Sequence, residues 1–330
     1  MLKVSCLAVF LASSFSVFAS DSWFDRPDPG SMRPTSVSSY ALKRVHYPEI
    51  GSTQTEAKRI VSAAENGDLK PFREVFRQDA ILSSEIYALT ATQQTQGVGQ
   101  DGRVWASPAG NVYATFILPW PAEQDTLVDK FATQVSALSV CQVLQSFGFS
   151  PQLKWRNDIL LGNRKASGVL VEPSSSGVIP VEGGHDGKQF KGVIIGVGVN
   201  VNMDAATAAE IYTRSTDEFK VPPTSMFINR GSSFKIEEVM EKLKTHLVEN
   251  LRTLIDQKEL GSTLLSLMKP ITAYNGLLVD YFNQQTKEKF TGLFLGLDKD
   301  GSAMFRVDGK TDIEFRQTGR VRPSATLSFS

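Results

Sequence analysis

The stretch Gln94-Thr-Gln-Gly97-Val98-Gly99-Gln100-Asp101-Gly102-Arg103-Val-Trp105 holds the first residues in the chain that suggest chemistry. Glycine has no side chain to block an approaching anion, so the backbone N–H groups of such a loop can wrap a phosphate or carboxylate closely. Arg103 adds a planar, permanently charged fork suited to either group. Read literally, Gly97, Gly99 and Gly102 satisfy G-x-G-x-x-G, but the dinucleotide fingerprint also needs a helix opening directly after the last glycine. Ser107-Pro108-Ala109-Gly110 follows instead, a turn leading into a strand, which sets the nicotinamide reading aside. Taken alone, the loop also reads as a surface hairpin.

A second polar block lies further on. Lys154-Trp-Arg156-Asn157-Asp158 ends one strand, and Arg164-Lys165-Ala-Ser-Gly168-Val-Leu-Val-Glu172 begins the next. Two strands joined by a polar turn bring Lys154 and Lys165 within reach of a common site. Cations beside a carboxylate and a triphosphate are what adenylation requires, because negative charge gathers on the α-phosphate as it is attacked. Asp158 can hold magnesium, orient a lysine, or accept a proton from an incoming amine. Asn157-Asp158 also reads as a capped turn. Other reactive residues are few. Cys141 lies on a core-facing helical pattern and reads as packing, and His46, His185 and His246 share no metal-ligand spacing.

The elements that must position these residues follow from periodicity. A helical pattern begins near Thr55, with Ser52 or Thr53 as cap and Glu56 in its first turn. Ile86 to Thr90 and Val112 to Trp120 read as strands, Asp125 to Phe147 as a core-facing helix. Strands follow at Gln152 to Trp155 and Ala166 to Glu172, a Ser/Gly-rich loop at Pro173 to Lys188, a buried strand at Gly192 to Val201, and a second long amphipathic helix at Ile236 to Ile255. After Pro270 the texture changes to short strand-like runs at Leu277–Phe282, Phe290–Leu297, Ala303–Val307 and Ile313–Arg316. Turn signals such as Asp298-Lys-Asp-Gly301 and Asp308-Gly309 separate them. The expected fold is α+β: a mixed sheet with packed helices over 45–270, then a small β-barrel over 271–330.

The chain has 330 residues, 41% of them apolar, and 35 basic against 35 acidic side chains, so the formal net charge is zero. That is enough for one sizeable domain plus a small one, and it argues against a strongly basic nucleic-acid binder or a polybasic membrane anchor. Two cysteines, Cys6 and Cys141, give no disulfide framework. Residues 1–20 match a short secretory signal, with Lys3, an uncharged run from Val4 to Phe18 and small residues before Asp21, and are too short for a transmembrane helix. Initiation at Met32 is the alternative. Residues 21–44 read as a Ser/Pro-rich linker with no room for a helix-turn-helix module.

Four blocks together resemble the biotin–protein ligase family: Ser52-Thr53; Gly97 to Trp105 with Ser107-Pro108-x-Gly110-Asn111; Lys154 to Asp158 with Arg164-Lys165 and Gly168; and Gly196-Val-Gly198-Val-Asn200. They occur in the family's order over residues 45 to 205, and the closing Gly319-Arg-Val-Arg-Pro323 is similar to the family's small C-terminal domain. The resemblance implies a class II synthetase-like catalytic domain and an SH3-like barrel. It implies that ATP with Mg2+ activates biotin as biotinyl-5′-AMP, which is passed to a lysine of a biotin carboxyl carrier domain. By the same resemblance, Ser52, Thr53, Gln94, Gly97, Gly99, Trp105, Lys165 and Gly168 line the biotin pocket. Gly102, Arg103, Asn157 and Asn200 meet the nucleotide, and Arg103, Lys165, Asp158 and Lys154 carry the chemistry. No metal ligand can be named.

The sequence also departs from that pattern. The family loop reads Gly-Arg-Gly-Arg-Arg-Gly-Arg; here three of its arginines are Val98, Gln100 and Asp101, the usual Ser-Thr-Asn is Ser52-Thr53-Gln54, and the usual proline after Lys-Trp is Arg156. Charged hydrogen bonds contribute roughly 1.5–3 kcal/mol each, so weaker retention of the adenylate is expected. The rival readings are a lipoate or octanoate ligase on the same scaffold and a non-catalytic biotin or adenylate sensor. ATP and carrier domains favour a cytoplasmic place, with no nucleic-acid or membrane partner; a homodimer is compatible with the sequence.

Overall fold

The computed structural model describes residues 41–172, 177–183, 188–256 and 266–324. The signal-like leader and most of the linker lie outside the described residues, as does His185. In chain order the elements are β1 (Ala41–Ile50), α1 (Thr53–Glu65), α2 (Lys70–Phe76), β2 (Ile81–Leu82), β3 (Glu85–Gln94), β4 (Val112–Pro121), α3 (Asp125–Ser146), β5 (Gln152–Lys154), β6 (Asp158–Leu161) and β7 (Arg164–Glu172). They continue with β8 (Val181–Glu182), β9 (Phe190–Val199), α4 (Ala205–Arg214), α5 (Met226–Arg230), α6 (Ile236–Asp256), β10 (Leu278–Phe282), β11 (Lys289–Leu297), β12 (Ala303–Val307), β13 (Ile313–Arg316) and β14 (Arg320–Pro323).

Seven strands form the main sheet in the order β1-β3-β4-β9-β7-β6-β5. Only β1 and β3 run parallel; the other pairs are antiparallel. Its central strands are apolar on both faces because both are covered. Along β3, Ile86 and Ala88 enter the core under α3 and α6, while Tyr87 and Leu89 enter the core under α1 and α2. A strand buried on two sides needs a continuous apolar run rather than alternation.

The helices follow the same logic. Ser52 caps α1, accepting a hydrogen bond from Thr55 N at 3.3 Å, and Ala57, Ile60, Val61 and Ala64 make the buried stripe. Helix α3 is apolar on several sides because it lies between the sheet and α6, whose Val239, Met240, Leu243, Leu247, Leu251 and Leu254 face it. Strand β1 begins at Ala41, inside the stretch that the sequence reads as linker to residue 44.

The C-terminal strands form a five-stranded antiparallel sheet in the order β13-β12-β11-β10-β14. This corrects the expectation of a small closed barrel: the four expected strands form, but the sheet stays open, with β13 and β14 as its edges. Closure would require β13 to pair with β14. The link between them is instead pulled over the end of β10. Tyr281 Oη donates to Thr318 O at 2.8 Å, Asn283 Nδ2 donates to Thr318 Oγ1 at 3.0 Å, and Gly319, at φ +124°, lies against the Tyr281 ring. The chain therefore re-enters on the far side of β10. Val279, Tyr281, Phe294, Phe305 and Val321 pack one face of this sheet around Trp155, which comes from the turn after β5.

Candidate active site

One cavity of about 620 Å³ opens beside the centre of the main sheet. It is walled by the glycine loop between β3 and β4, by β7 and β9, and by the segment after α4. The loop is a narrow hairpin: Gln94 N donates to Ser107 O at 3.1 Å, Trp105 N to Gly97 O at 2.8 Å, and Gly99 N to Arg103 O at 2.6 Å. Gln100–Gly102 turns the tip, where Gly102 takes φ +73°. No helix opens after Gly102, and the chain returns to β4.

Beneath the loop a directed chain of hydrogen bonds forms the polar floor. Thr115 Oγ1 donates to Thr53 Oγ1 at 2.8 Å, and Thr53 donates through both N and Oγ1 to Gln94 Oε1 at 2.9 and 3.1 Å. Gln94 Nε2 then donates to Ser107 Oγ at 2.9 Å, and Ser107 Oγ to Trp105 O at 2.9 Å. These groups fix the tilt of the loop relative to α1, and a neutral, hydrogen-bonding ring or amide entering there meets both donors and acceptors. Gly97 supports the loop from behind rather than lining the cavity, since a Cβ on it would stand 2.3 Å from Trp105 O.

The indole of Trp105 lies across β7 and β9. Cβ atoms on Gly198 and Gly168 would approach it to 2.6 and 3.1 Å. The glycines of Gly196-Val-Gly198 thus have a steric reason: on β9 the even-numbered positions face α1 and the cavity, with Gly196 against Gln54 and Gly198 against Trp105. The Trp105 Nε1–H is buried and finds no acceptor among the described residues.

The charged centre is Asp158. Lys154 Nζ donates to its Oδ2 at 2.9 Å, and Lys165 Nζ stands 2.5 Å from Oδ1. Burial alone would raise the Asp158 carboxyl, but the two ammonium groups overcome it and hold the group well below the usual carboxylate range. The Lys165 pKa is lowered as well, from a different balance of causes. Burial lowers its pKa, Asp158 opposes that, and Lys154 and Arg103 add to the lowering. A carboxylate held this firmly by two lysines is a poor proton acceptor, so of its three candidate roles the geometry favours orienting Lys165. Lys165 lines the cavity, with Nζ 5.1 Å from the Trp105 ring centre; Lys154, 2% exposed, sits behind Asp158.

Arg103 reaches across the cavity. Its Nε donates to Gln100 O at 2.8 Å and its Nη1 to Asp217 Oδ2 at 3.4 Å, with Asp101 4.0 Å away. Asp217 also receives a two-pronged contact from Arg320 of β14, at 2.7 and 2.6 Å. Sequence reasoning names neither Asp217 nor Thr115, and notes Arg320 only within the closing Gly-Arg-Val-Arg-Pro run; an acid whose arginine partners lie more than a hundred positions away carries no local signal.

Asn157 and Asn200 line the cavity but spend amide donors on backbone. Asn157 Nδ2 binds Val169 O at 2.7 Å, and Asn200 Nδ2 binds Thr224 O at 3.0 Å and Lys165 O at 3.4 Å. Ser52, Gly99, Gly102 and Gly168 also line it. Among the described residues no group of three or more carboxylate, histidine or cysteine side chains converges, and both Asp158 oxygens are taken, so the protein offers magnesium no cage of its own. Cys141 is fully buried in the α3 core, and burial pushes its thiol up to about 12. No helix among the described residues is long and apolar enough to cross a membrane.

The model of the biotin/lipoate A/B protein ligase family matches residues 77–200. The bifunctional ligase/repressor BirA of Bacillus subtilis is 27% identical over 224 residues, 67% of this chain and 61% of that protein. A biotin–[acetyl-CoA-carboxylase] ligase of Paracoccus denitrificans is 32% identical over 165 residues, 49% of this chain and 61% of that protein. The chain thus spans about three fifths of the length of these relatives. Among solved structures, a biotin protein ligase from Aquifex aeolicus in complex with biotin and ATP shares the fold, with a TM-score of 0.60 and 24% identity over 86% of this chain and 99% of that one.

Proposed function

We propose that the chain is an ATP-dependent biotin–protein ligase of the biotin/lipoate A/B protein ligase family, whose model matches residues 77–200. The observation that carries the reading is the meeting, in one cavity, of the glycine hairpin, the polar Thr53–Gln94 floor that Ser107 braces, and the Lys165–Asp158 pair. The floor suits the ureido ring of biotin, with Ser52, Gly99, Trp105 and Gly168 around it, and Gly97 supports the hairpin. Gly102, Arg103, Asn157 and Asn200 face the nucleotide.

In the first half-reaction the biotin carboxylate attacks the α-phosphorus of ATP, forming biotinyl-5′-AMP and releasing pyrophosphate. Lys165 and Arg103 neutralise the charge that grows on the phosphoryl oxygens, and Asp158, itself fixed by Lys154, aims Lys165. In the second, an amine of a carrier-domain lysine attacks the mixed anhydride, and AMP leaves with its phosphate charge. With both Asp158 oxygens engaged by lysines, magnesium would be carried by the triphosphate itself and would supply further charge neutralisation there. No covalent bond to the enzyme is needed, in keeping with a Cys141 thiol sealed in the core. The partner is a biotin carboxyl carrier domain and the place of action the cytoplasm, where ATP and carrier domains meet; a homodimer is compatible with this reading, and no nucleic-acid or membrane role is assigned.

The test is ATP–pyrophosphate exchange with biotin or lipoate, followed by transfer of labelled biotin to a carrier-domain fragment. Biotin should support both steps, and Lys165→Ala should reduce exchange by about 10²–10³-fold, the loss typical of removing one charge-stabilising group. Exchange with lipoate alone would overturn the specificity, and a wild-type chain inactive with either acid would favour a sensor.

A further inference from the structure

The cavity contains its own anion. Asp217 stands on the segment after α4, and two arginines from opposite directions converge on it: Arg103 from the glycine hairpin and Arg320 from β14. The two contacts differ in kind. Arg320 is locked, with two short hydrogen bonds to the carboxylate and a third to Phe219 O at 3.0 Å. Arg103 is held loosely, at 3.4 Å through one nitrogen. Phe219 N donates to Asp217 Oδ1 at 2.9 Å, so the carboxylate is fixed in place from its own segment as well. On its other side Arg103 meets Asp101 at 4.0 Å. The one arginine of the hairpin is therefore bracketed by two carboxylates in a cavity that would admit a phosphate.

From this arrangement, and resting on the reading of the cavity as a nucleotide site, we infer that Asp217 sets how tightly phosphate is held, by competing with it for Arg103. A phosphate entering beside Lys165 draws Arg103 away from the single long contact, while Arg320 stays paired. When the phosphate leaves, Asp217 takes Arg103 back. Asp217 is thus a positioning residue that biases the site toward release of its phosphate-bearing ligand.

The experiment measures binding of AMP, adenosine and inorganic pyrophosphate to the full chain and to Asp217→Asn, by calorimetry. Asp217→Asn keeps a hydrogen-bond acceptor for Arg320 but removes the competing charge. AMP and pyrophosphate should bind about tenfold more tightly to it, the change that ~1.4 kcal/mol produces, with adenosine unchanged. Asp217→Glu, which restores the charge, should return both toward wild type. Damage to the fold would weaken all three ligands, and a structural brace would give weaker AMP binding in Asp217→Asn; AMP and pyrophosphate binding that is equal or weaker overturns the inference. If exchange proceeds in wild type while Asp217→Asn binds no tighter, this inference fails and the ligase reading stands. If pyrophosphate tightens but no acid supports exchange, the ligase reading fails and the competing anion stands.

Discussion

Asp158→Asn is the substitution whose outcome the geometry constrains most tightly. The change is nearly isosteric, so shape persists while a negative charge vanishes from between two ammonium groups. Lys154 is almost dry and the Lys165 side chain is 20% exposed, so neither cation is well solvated. Removing one partner of a buried pair typically costs ~3–5 kcal/mol, because the other charge is left uncompensated. With two stranded cations, one of them partly exposed, the middle of that range is expected, about 4 kcal/mol near neutral pH. For a chain of this size that corresponds to a fall in Tm on the order of 10 °C.

The pH dependence has a definite sign. In the wild type the folded-state carboxyl of Asp158 lies far below its unfolded value, so its contribution is complete above about pH 5 and is lost only as pH falls through that depressed value. In the variant both lysines have lost their counter-charge, and Lys165 is already lowered from 10.5 in the wild type. A lysine whose pKa is lower folded than unfolded carries more protons when unfolded, so stability rises as pH climbs toward the unfolded value. The deficit should therefore be full near neutrality and shrink toward about pH 10. Urea unfolding followed by tryptophan fluorescence at about pH 7 and about pH 9.5 reads both effects. Adding Lys154→Met removes one stranded cation and should recover much of the loss. A deficit below about 1 kcal/mol at neutral pH, or one that does not change with pH, would refute the reasoning.

Three further outcomes are expected. Gly198→Ala places a methyl 2.6 Å from the Trp105 indole nitrogen, so the ring must move and biotin affinity should fall about tenfold by calorimetry, in line with the ~1–3 kcal/mol of overpacking; an unchanged affinity would mean that the indole does not shape the pocket. Cys141, buried with its thiol pushed up to about 12, should resist iodoacetamide at about pH 8 until urea unfolds the chain, as read by peptide mass analysis, with exchange activity intact. Ser52→Ala removes the cap bond to Thr55 N and should lower unfolding stability by about 1 kcal/mol, with Ser52→Asp retaining it.

The parts of the fold that were legible are those whose periodicity is decided locally. Strands β4 and β9 and helix α3 carry long apolar runs and helix α6 a long apolar stripe, each matching the faces that are covered, and the structure places them within a few residues of the sequence reading. Strand β1 escaped because it is an edge strand whose Lys43, Arg44, His46 and Glu49 leave little apolar alternation to read. The open C-terminal sheet escaped for another reason. Turn residues mark where strands stop, but whether β13 meets β14 depends on the contacts of Thr318 and Gly319 with Tyr281 and Asn283, more than thirty residues earlier in the chain. The site divides the same way. Glycines, lysines and Asp158 announce themselves by type and spacing, whereas the Arg320–Asp217 pair spans 103 positions and has no local pattern.

The open sheet is part of the site rather than an appendage to it. The turn that supplies Lys154 and Asp158 also supplies Trp155, whose ring is fully buried among Val279, Phe294 and Phe305 and whose Nε1 donates to Gly301 O at 3.3 Å. Three residues within five positions of one backbone thus divide between two environments: Asp158 lines the cavity with Lys154 behind it, and the Trp155 indole anchors in the C-terminal sheet. At the other end of that sheet, Arg320 holds Asp217 while Arg322 donates to Glu218 O at 2.9 Å, which stitches the segment after α4 onto β14. A large buried aromatic at one end and a two-pronged charged contact at the other are both short-range and directional, so they fix distance as well as association. The spacing between Lys165, set by the main sheet, and Arg320, set by the C-terminal sheet, is therefore determined by packing on both sides of Trp155. A substitution that shrinks Trp155 would act on the Arg103–Asp217 end of the cavity without touching any group that lines it.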